Sequence, residues 1–153
     1  MPVAEIPDLW PPDLTGPTTL TPVVILRRQG EALASRTHNL VRGEVETRPF
    51  NEGKSFEHNF VLVAPFLRFR FPLLRVSHRV SGYPATLAET DLTKPDGVGG
   101  YWNETAQNEA EMQQKLQAFF NQDKVKAVIR SLLDQSAEPE TESQLLNQSG
   151  GTP

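Results

Sequence analysis

Apolar residues recur along this chain with two different periods, and the changes of period divide it. Val23, Leu26, Gly30, Leu33, Thr37 and Leu40 follow spacings of three and four, which places them on one face of a helix. Thr21 and Pro22 suit its start as N-cap and first helical residue, and Gly43 suits its end. Gly30 stands on the apolar face, where glycine costs about 1 kcal/mol relative to alanine. Close packing against a neighbour would offset that cost.

From Gly43 the period drops to two. Glu44, Glu46 and Arg48 alternate with Val45 and Thr47, the pattern of a half-buried strand. Residues 49–55 read as a loop. The run from Glu57 to Ala64 is apolar on both parities, which predicts a strand buried on both faces and therefore central. Pro65, Phe66 and Leu67 suit a turn. In the third strand Phe69, Phe71 and Leu73 form the apolar set, and then Leu74, Val76 and Val80 do. The parity flips just after Pro72, so one extra residue at Pro72-Leu73-Leu74 would restore a single apolar face; the sequence predicts a β-bulge or break there. Tyr83 to Leu87 reads as a short edge strand.

Residues 90–103 are turn-rich, with Lys94-Pro95-Asp96-Gly97 and Gly99-Gly100, and read as a loop. Helical spacing then returns. Met112, Leu116, Phe119 and Phe120 give one stripe, and Val125, Val128, Ile129, Leu132 and Leu133 give another. Residues 121–123 interrupt them, and two helices in series or one kinked helix fit equally well. From Ser136 the tail is polar and patternless and reads as disordered. The predicted fold is α+β: an N-terminal helix, a three- to four-stranded mainly antiparallel sheet, and a C-terminal helical region packed on one face. The predicted divisions are a proline-rich extended arm at 1–21, a single α+β domain at 22–136 and a disordered tail at 137–153.

Proline shapes the first of these divisions. Pro2, Pro7, Pro11, Pro12, Pro17 and Pro22 fix φ and remove backbone donors, so the arm cannot join a helix or a central strand. It carries a near-repeat, Pro7-Asp8-Leu9 and Pro12-Asp13-Leu14, around Trp10. Trp10 is costly to leave in water. Packing on its own domain is the expectation, and anchoring another protein through Leu9, Trp10 and Leu14 is the alternative.

The chain has no cysteine, which excludes disulfides and thiolate metal sites and fits a reducing compartment. Residues 1–5 show neither the basic nor the apolar region of a signal peptide, and the apolar runs fall short of the roughly 18 residues of a membrane span. A cytoplasmic location and no membrane contact are therefore expected. Net charge is −4, unevenly spread: residues 58–88 hold Arg68, Arg70, Arg75 and Arg79 and no acid.

Few of the chain's short motifs are complete. Gly53-Lys54-Ser55 lacks the earlier glycine and the following helix of a phosphate loop. Gly97-Val98-Gly99-Gly100 follows no strand of a βαβ unit. Glu52-Gly53-Lys54 has only surface carboxylates, Glu44 and Glu46, near enough to complete a nuclease-like site. His58 and His78 fall on the core side of a hairpin centred near residue 68, where they lie opposite each other. Two imidazoles start a metal site or a pH-sensitive pair, but no further ligand is evident, so structural histidines are expected. No catalytic residue, metal or cofactor is assigned.

The four arginines fall on one strand face once the bulge is allowed. That face carries no aromatic residue, unlike sheet-type single-strand binders. Two functional readings follow. The first is a non-catalytic protein-interaction or accessory subunit of a larger intracellular assembly, by partner binding or self-association through Leu9, Trp10 and Leu14. The second is a nucleic-acid-associated protein that contacts phosphate through Arg68, Arg70, Arg75 and Arg79. An unrecognised small enzyme is a third.

Overall fold

Pro22 opens the first helix, α1 (Pro22–Arg36), where its missing N–H and fixed φ are no handicap. Thr21 occupies the N-cap, but its side chain makes no capping bond. The helix is shorter than its apolar spacing suggests. His38 and Asn39 take positive φ and break it, and the Thr37 hydroxyl is tied to the backbone of Leu33 and Val41. Gly43 therefore belongs not to the helix end but to the first strand.

The computed structural model describes residues 5–90 and 102–150. After α1 come five strands, β1 (Arg42–Phe50), β2 (Ser55–Ala64), β3 (Phe69–Arg79), β4 (Ala85–Glu89) and β5 (Asn103–Ala106), and then helices α2 (Glu109–Phe120) and α3 (Asp123–Gly150). The fold is α+β. The strands form one antiparallel sheet in the order β1-β2-β3-β4-β5. Five strands replace the expected three to four. β5 escapes a pattern reading because Ala106 is its one apolar residue, and its presence makes β4 an inner strand rather than an edge.

The bulge is where the change of parity places it. Val61 pairs with Pro72 and Phe60 with Leu74, so Leu73 has no partner on β2. Leu73 and Leu74 both end up buried. An interrupted ladder leaves carbonyls that need donors. Thr90 supplies them: its N–H donates to Leu73 O at 3.1 Å, and its hydroxyl hydrogen-bonds to Pro72 O and Leu73 O. β3 ends at Arg79, so Val80 is exposed rather than part of the apolar face.

One face of the sheet carries the core. Phe60, Leu62, Leu74, Val76 and Leu87 meet Ile25 and Leu26 of α1, Met112, Leu116 and Phe119 of α2, and Val125 and Leu132 of α3. α1 meets β1 backbone to backbone: a Cβ built on Gly30 of α1 would lie 2.1 Å from the Gly43 carbonyl oxygen of β1. That contact is why glycine stands on the apolar stripe of α1.

The last two helices are separate. Asn108 caps α2 by accepting from Glu111 N at 2.9 Å, and Asn121 ends it. α3 continues to Gly150, past residue 136 where the apolar spacing stops. Most of the turn-rich stretch, 91–101 with Gly97–Gly100, lies outside the described residues, as do the arm's first four residues and the tail's last three. No helix among the described residues is long and apolar enough to cross a membrane.

Candidate functional site

The arm stands off the domain. Trp10 is 75% exposed, with Leu9 at 81% and Leu14 at 64%, so the expected packing of Trp10 on its own domain is corrected. The arm is not featureless. Asp8 Oδ1 accepts from Trp10 N at 3.0 Å, and Leu14 N donates to Pro11 O at 3.1 Å, so both halves of the near-repeat form local turns. Its base is clamped as well. Leu20 N donates to Glu109 Oε2 at 3.1 Å, and Tyr83 Oη donates to Leu20 O at 2.7 Å. Burial, with Glu109 nearby, pushes the Tyr83 phenol up to about 12, so it remains a donor across the physiological range.

A groove of about 1330 Å³ opens between the three helices, over the inner face of the sheet. Leu33, Phe60, Leu62, Leu73, Leu116 and Ile129 make its apolar floor and walls. Glutamines of α1 and α2 line its sides, and Arg36, Lys126, Arg130 and Asp123 stand at the rim. The groove exists because α1 and α2 lie at opposite edges of the sheet, against β1 and β5, and the three helices touch one another only sparsely. It is larger than the roughly 300–1,000 Å³ of a small-molecule site. Sequence reading misses it, since spacing shows which residues share a helix face but not how far apart neighbouring helices lie. The one visible signal is the arginines set directly beside apolar stripes, Arg36 three residues after Leu33 and Arg130 next to Ile129.

The arginine face differs from its expectation in two ways. Arg70, Arg75 and Arg79 do share the outer face, by their register against Val63, Asn59 and Ser55. Arg68 does not, because it sits between the 3-10 turn and β3 with φ 52°. The second difference is pairing. β2 separates β1 from β3, roughly 10 Å apart at ordinary strand spacing, yet Arg70 reaches over β2 to Glu44 at 3.1 Å and also to Glu46. Arg75 and Arg48 both bind Glu57. The hydrogen bonds from Arg70 and Arg42 hold the Glu44 carboxyl below its ordinary range. Val61 and Val63 lie on this outer face and are nevertheless buried, in line with Arg42, Arg70 and their glutamate partners. The aliphatic stems of these long side chains serve as a partial cover. Among the described residues, Arg68 and Arg79 have no ion pair.

The two histidines are diagonal neighbours, since His58 pairs with Val76 and His78 with Phe56. Their Nε2 atoms lie 2.7 Å apart. The directions of the hydrogen bonds follow from the one partner that can only accept. His78 Nδ1–H donates to Arg79 O at 2.6 Å, leaving Nε2 of the neutral ring to accept from His58 Nε2–H. His58 Nδ1 then accepts from the Thr47 hydroxyl at 2.8 Å. Every ring nitrogen is satisfied, and a second added proton would set two N–H groups against each other. Burial, then the charge of His78 and of Arg27, lowers the His58 imidazole to about 4. Among the described residues no group of three or more histidine or acidic side chains could hold a metal ion.

Glu89 is the most enclosed carboxylate at this level of the sheet, with 3% of its side chain exposed. It accepts from Trp102 N at 2.9 Å and pairs with Lys124 in the first turn of α3. This pair ties the end of β4 to the strand beside it and to the last helix. Compared with protein-family models, with curated proteins and with solved structures, the chain gives no match.

Proposed function

We propose that the chain is a non-catalytic protein-interaction subunit of a larger cytoplasmic assembly, docking through its N-terminal arm with Leu9, Trp10 and Leu14 as anchors. The observation that carries this reading is the exposure of three large apolar side chains on one short, turn-stabilised segment. Tryptophan is the residue type most enriched among energetically dominant interface positions. Two local turns and a clamped base reduce the conformational freedom lost on binding, which favours affinity. The nucleic-acid alternative draws less support, because Arg70 and Arg75 already carry carboxylate partners on their own sheet.

The test is affinity purification of the tagged chain and of Trp10→Ala from native cells, with and without nuclease. Docking through the arm predicts a stoichiometric partner that survives nuclease. Its affinity for Trp10→Ala should fall about 30-fold, the equivalent of roughly 2 kcal/mol. A partner set that is unchanged by Trp10→Ala removes the arm from the interface. Partners lost on nuclease treatment transfer the role to the arginine face.

A further inference from the structure

We infer that the arm's docking site is the three-helix groove of a second copy of this chain, so that two copies exchange arms reciprocally. This inference rests on the arm being a docking segment and names its occupant. Charge complementarity is the first observation behind it. Residues 5–20 carry Glu5, Asp8 and Asp13 and no basic residue. The groove rim carries Arg36, Lys126 and Arg130 against the single acid Asp123, and that acid lies 3.7 Å from Lys126. Among the described residues Arg36 and Arg130 have no ion pair, so the rim presents two uncommitted guanidinium groups to an acidic strand. Guanidinium groups are the cations best suited to carboxylates at an interface.

Size is the second observation. Burying Ile6, Leu9, Trp10 and Leu14 removes on the order of 400 Å² of apolar surface per arm. Two arms with the groove walls opposite them come to on the order of 1,600 Å², inside the range of stable protein interfaces. One arm in one groove would bury about half that amount. Reciprocal exchange also closes: each copy gives one arm and receives one, so no unfilled groove is left to recruit a third copy.

Stiffness and a fixed point of exit favour the second copy over the chain's own groove. Ten residues separate Trp10 from Leu20, a span of about 33–36 Å at most. Pro11, Pro12 and Pro17 stiffen that stretch, while Glu109 and Tyr83 fix where it leaves the domain. The arm accordingly stands free of its own groove, with residues 5–19 exposed.

The experiment is sedimentation velocity on the full chain over a wide concentration range, with Trp10→Ala and the double variant Arg36→Glu/Arg130→Glu alongside. Far-UV circular dichroism and the thermal midpoint check that each variant is folded. The wild type should dimerise, and more weakly as salt is raised. Trp10→Ala should weaken dimerisation about 30-fold or more, and the rim variant should also weaken it. Mixing the two variants is the decisive arm. Trp10→Ala keeps an intact groove and the rim variant keeps an intact arm, so the mixture should form a heterodimer with one seated arm, at higher affinity than either variant with itself. A dimer indifferent to Trp10→Ala overturns the inference, as does a mixture no tighter than its parts. A wild-type monomer in a Trp102→Phe background, with Trp10 emission shifted to the blue, places the arm in its own groove and also overturns it. A monomer with solvent-exposed Trp10 that still captures another protein through Trp10 overturns the inference while leaving the proposed function standing.

Discussion

Replacing Gly30 with alanine tests the packing of α1 on β1, because two effects oppose each other and the structure decides which wins. In an ordinary helix interior this change stabilises by about 1 kcal/mol, through propensity and a less flexible unfolded chain. Here the new Cβ would lie 2.1 Å from Gly43 O and 2.8 Å from Gly43 C, both backbone atoms that cannot rotate away. Relief requires α1 to lift by more than about 1 Å along its length, which loosens Ile25 and Leu26 from the core. Overpacking costs about 1–3 kcal/mol, a clash with fixed backbone belongs in the upper part of that range, and the helical gain offsets about 1 kcal/mol of it. The net expectation is destabilisation by about 1–2 kcal/mol, or a midpoint lower by roughly 3–8 °C for a domain of this size. Urea denaturation followed by far-UV circular dichroism measures it. Gly16→Ala is the control, since nothing lies within 4 Å of a Cβ there, and it should stay within about 0.5 kcal/mol of wild type. A Gly30→Ala protein as stable as wild type, or more so, would refute backbone contact between α1 and β1.

Three further outcomes are expected. Because His58 is lowered to about 4 in the fold and titrates near 6.5 when unfolded, the unfolded chain binds more protons between those values. Stability from this group is thus complete above pH 6.5 and lost as pH falls toward 4, by up to about 3 kcal/mol; comparing denaturation of wild type and His58→Gln across that window should show the component vanish in the variant. In Arg70→Gln the Glu44 carboxyl should titrate at a higher pH than in wild type, read by carboxyl-detected NMR, because its strongest hydrogen-bonding partner is gone. Glu89→Ala should cost about 3 kcal/mol in chemical denaturation, since it removes a buried acceptor of Trp102 N and the partner of Lys124, while Glu104→Ala, at an exposed pair, should cost less than about 1 kcal/mol.

Much of the sheet can be read from period alone, and the exceptions have physical reasons. Leu73 and Leu74 reveal the bulge because two adjacent leucines cannot share a pleat without an extra residue. The stretch from Phe60 to Ala64 reveals an inner strand because both of its faces are apolar. β5 is hidden because four residues with one apolar side chain have no period to detect. The helix end is hidden because it depends on His38 and Asn39 adopting positive φ, which glycine at position 43 does not predict. Pairing of Arg70 with Glu44 and Glu46 runs against the rule that charges pair with adjacent strands. It occurs because the β2 residues opposite Arg70 and Glu44 are Val63 and Val61, whose short side chains leave room above them for a long one to cross. At the candidate site, Trp10 is conspicuous in the sequence but its exposure is not, and the groove depends on distances between helices that no single helix encodes.

The strand order has a kinetic consequence. Every strand pairs with its neighbours in sequence, so the turns at 51–54, 65–68 and 80–84 close three of the four pairings over short loops. Chains dominated by near-neighbour contacts search less conformational space before productive contacts form, and they fold faster than sheets built from distant strands. The β2–β3 hairpin, with the longest register and a bulge that pins it, is the natural nucleus. The pairing of β4 with β5 waits on the closure of residues 90–102 and should form last. A destabilising change at Leu74 should therefore slow folding, whereas one at Ala106 should mainly speed unfolding.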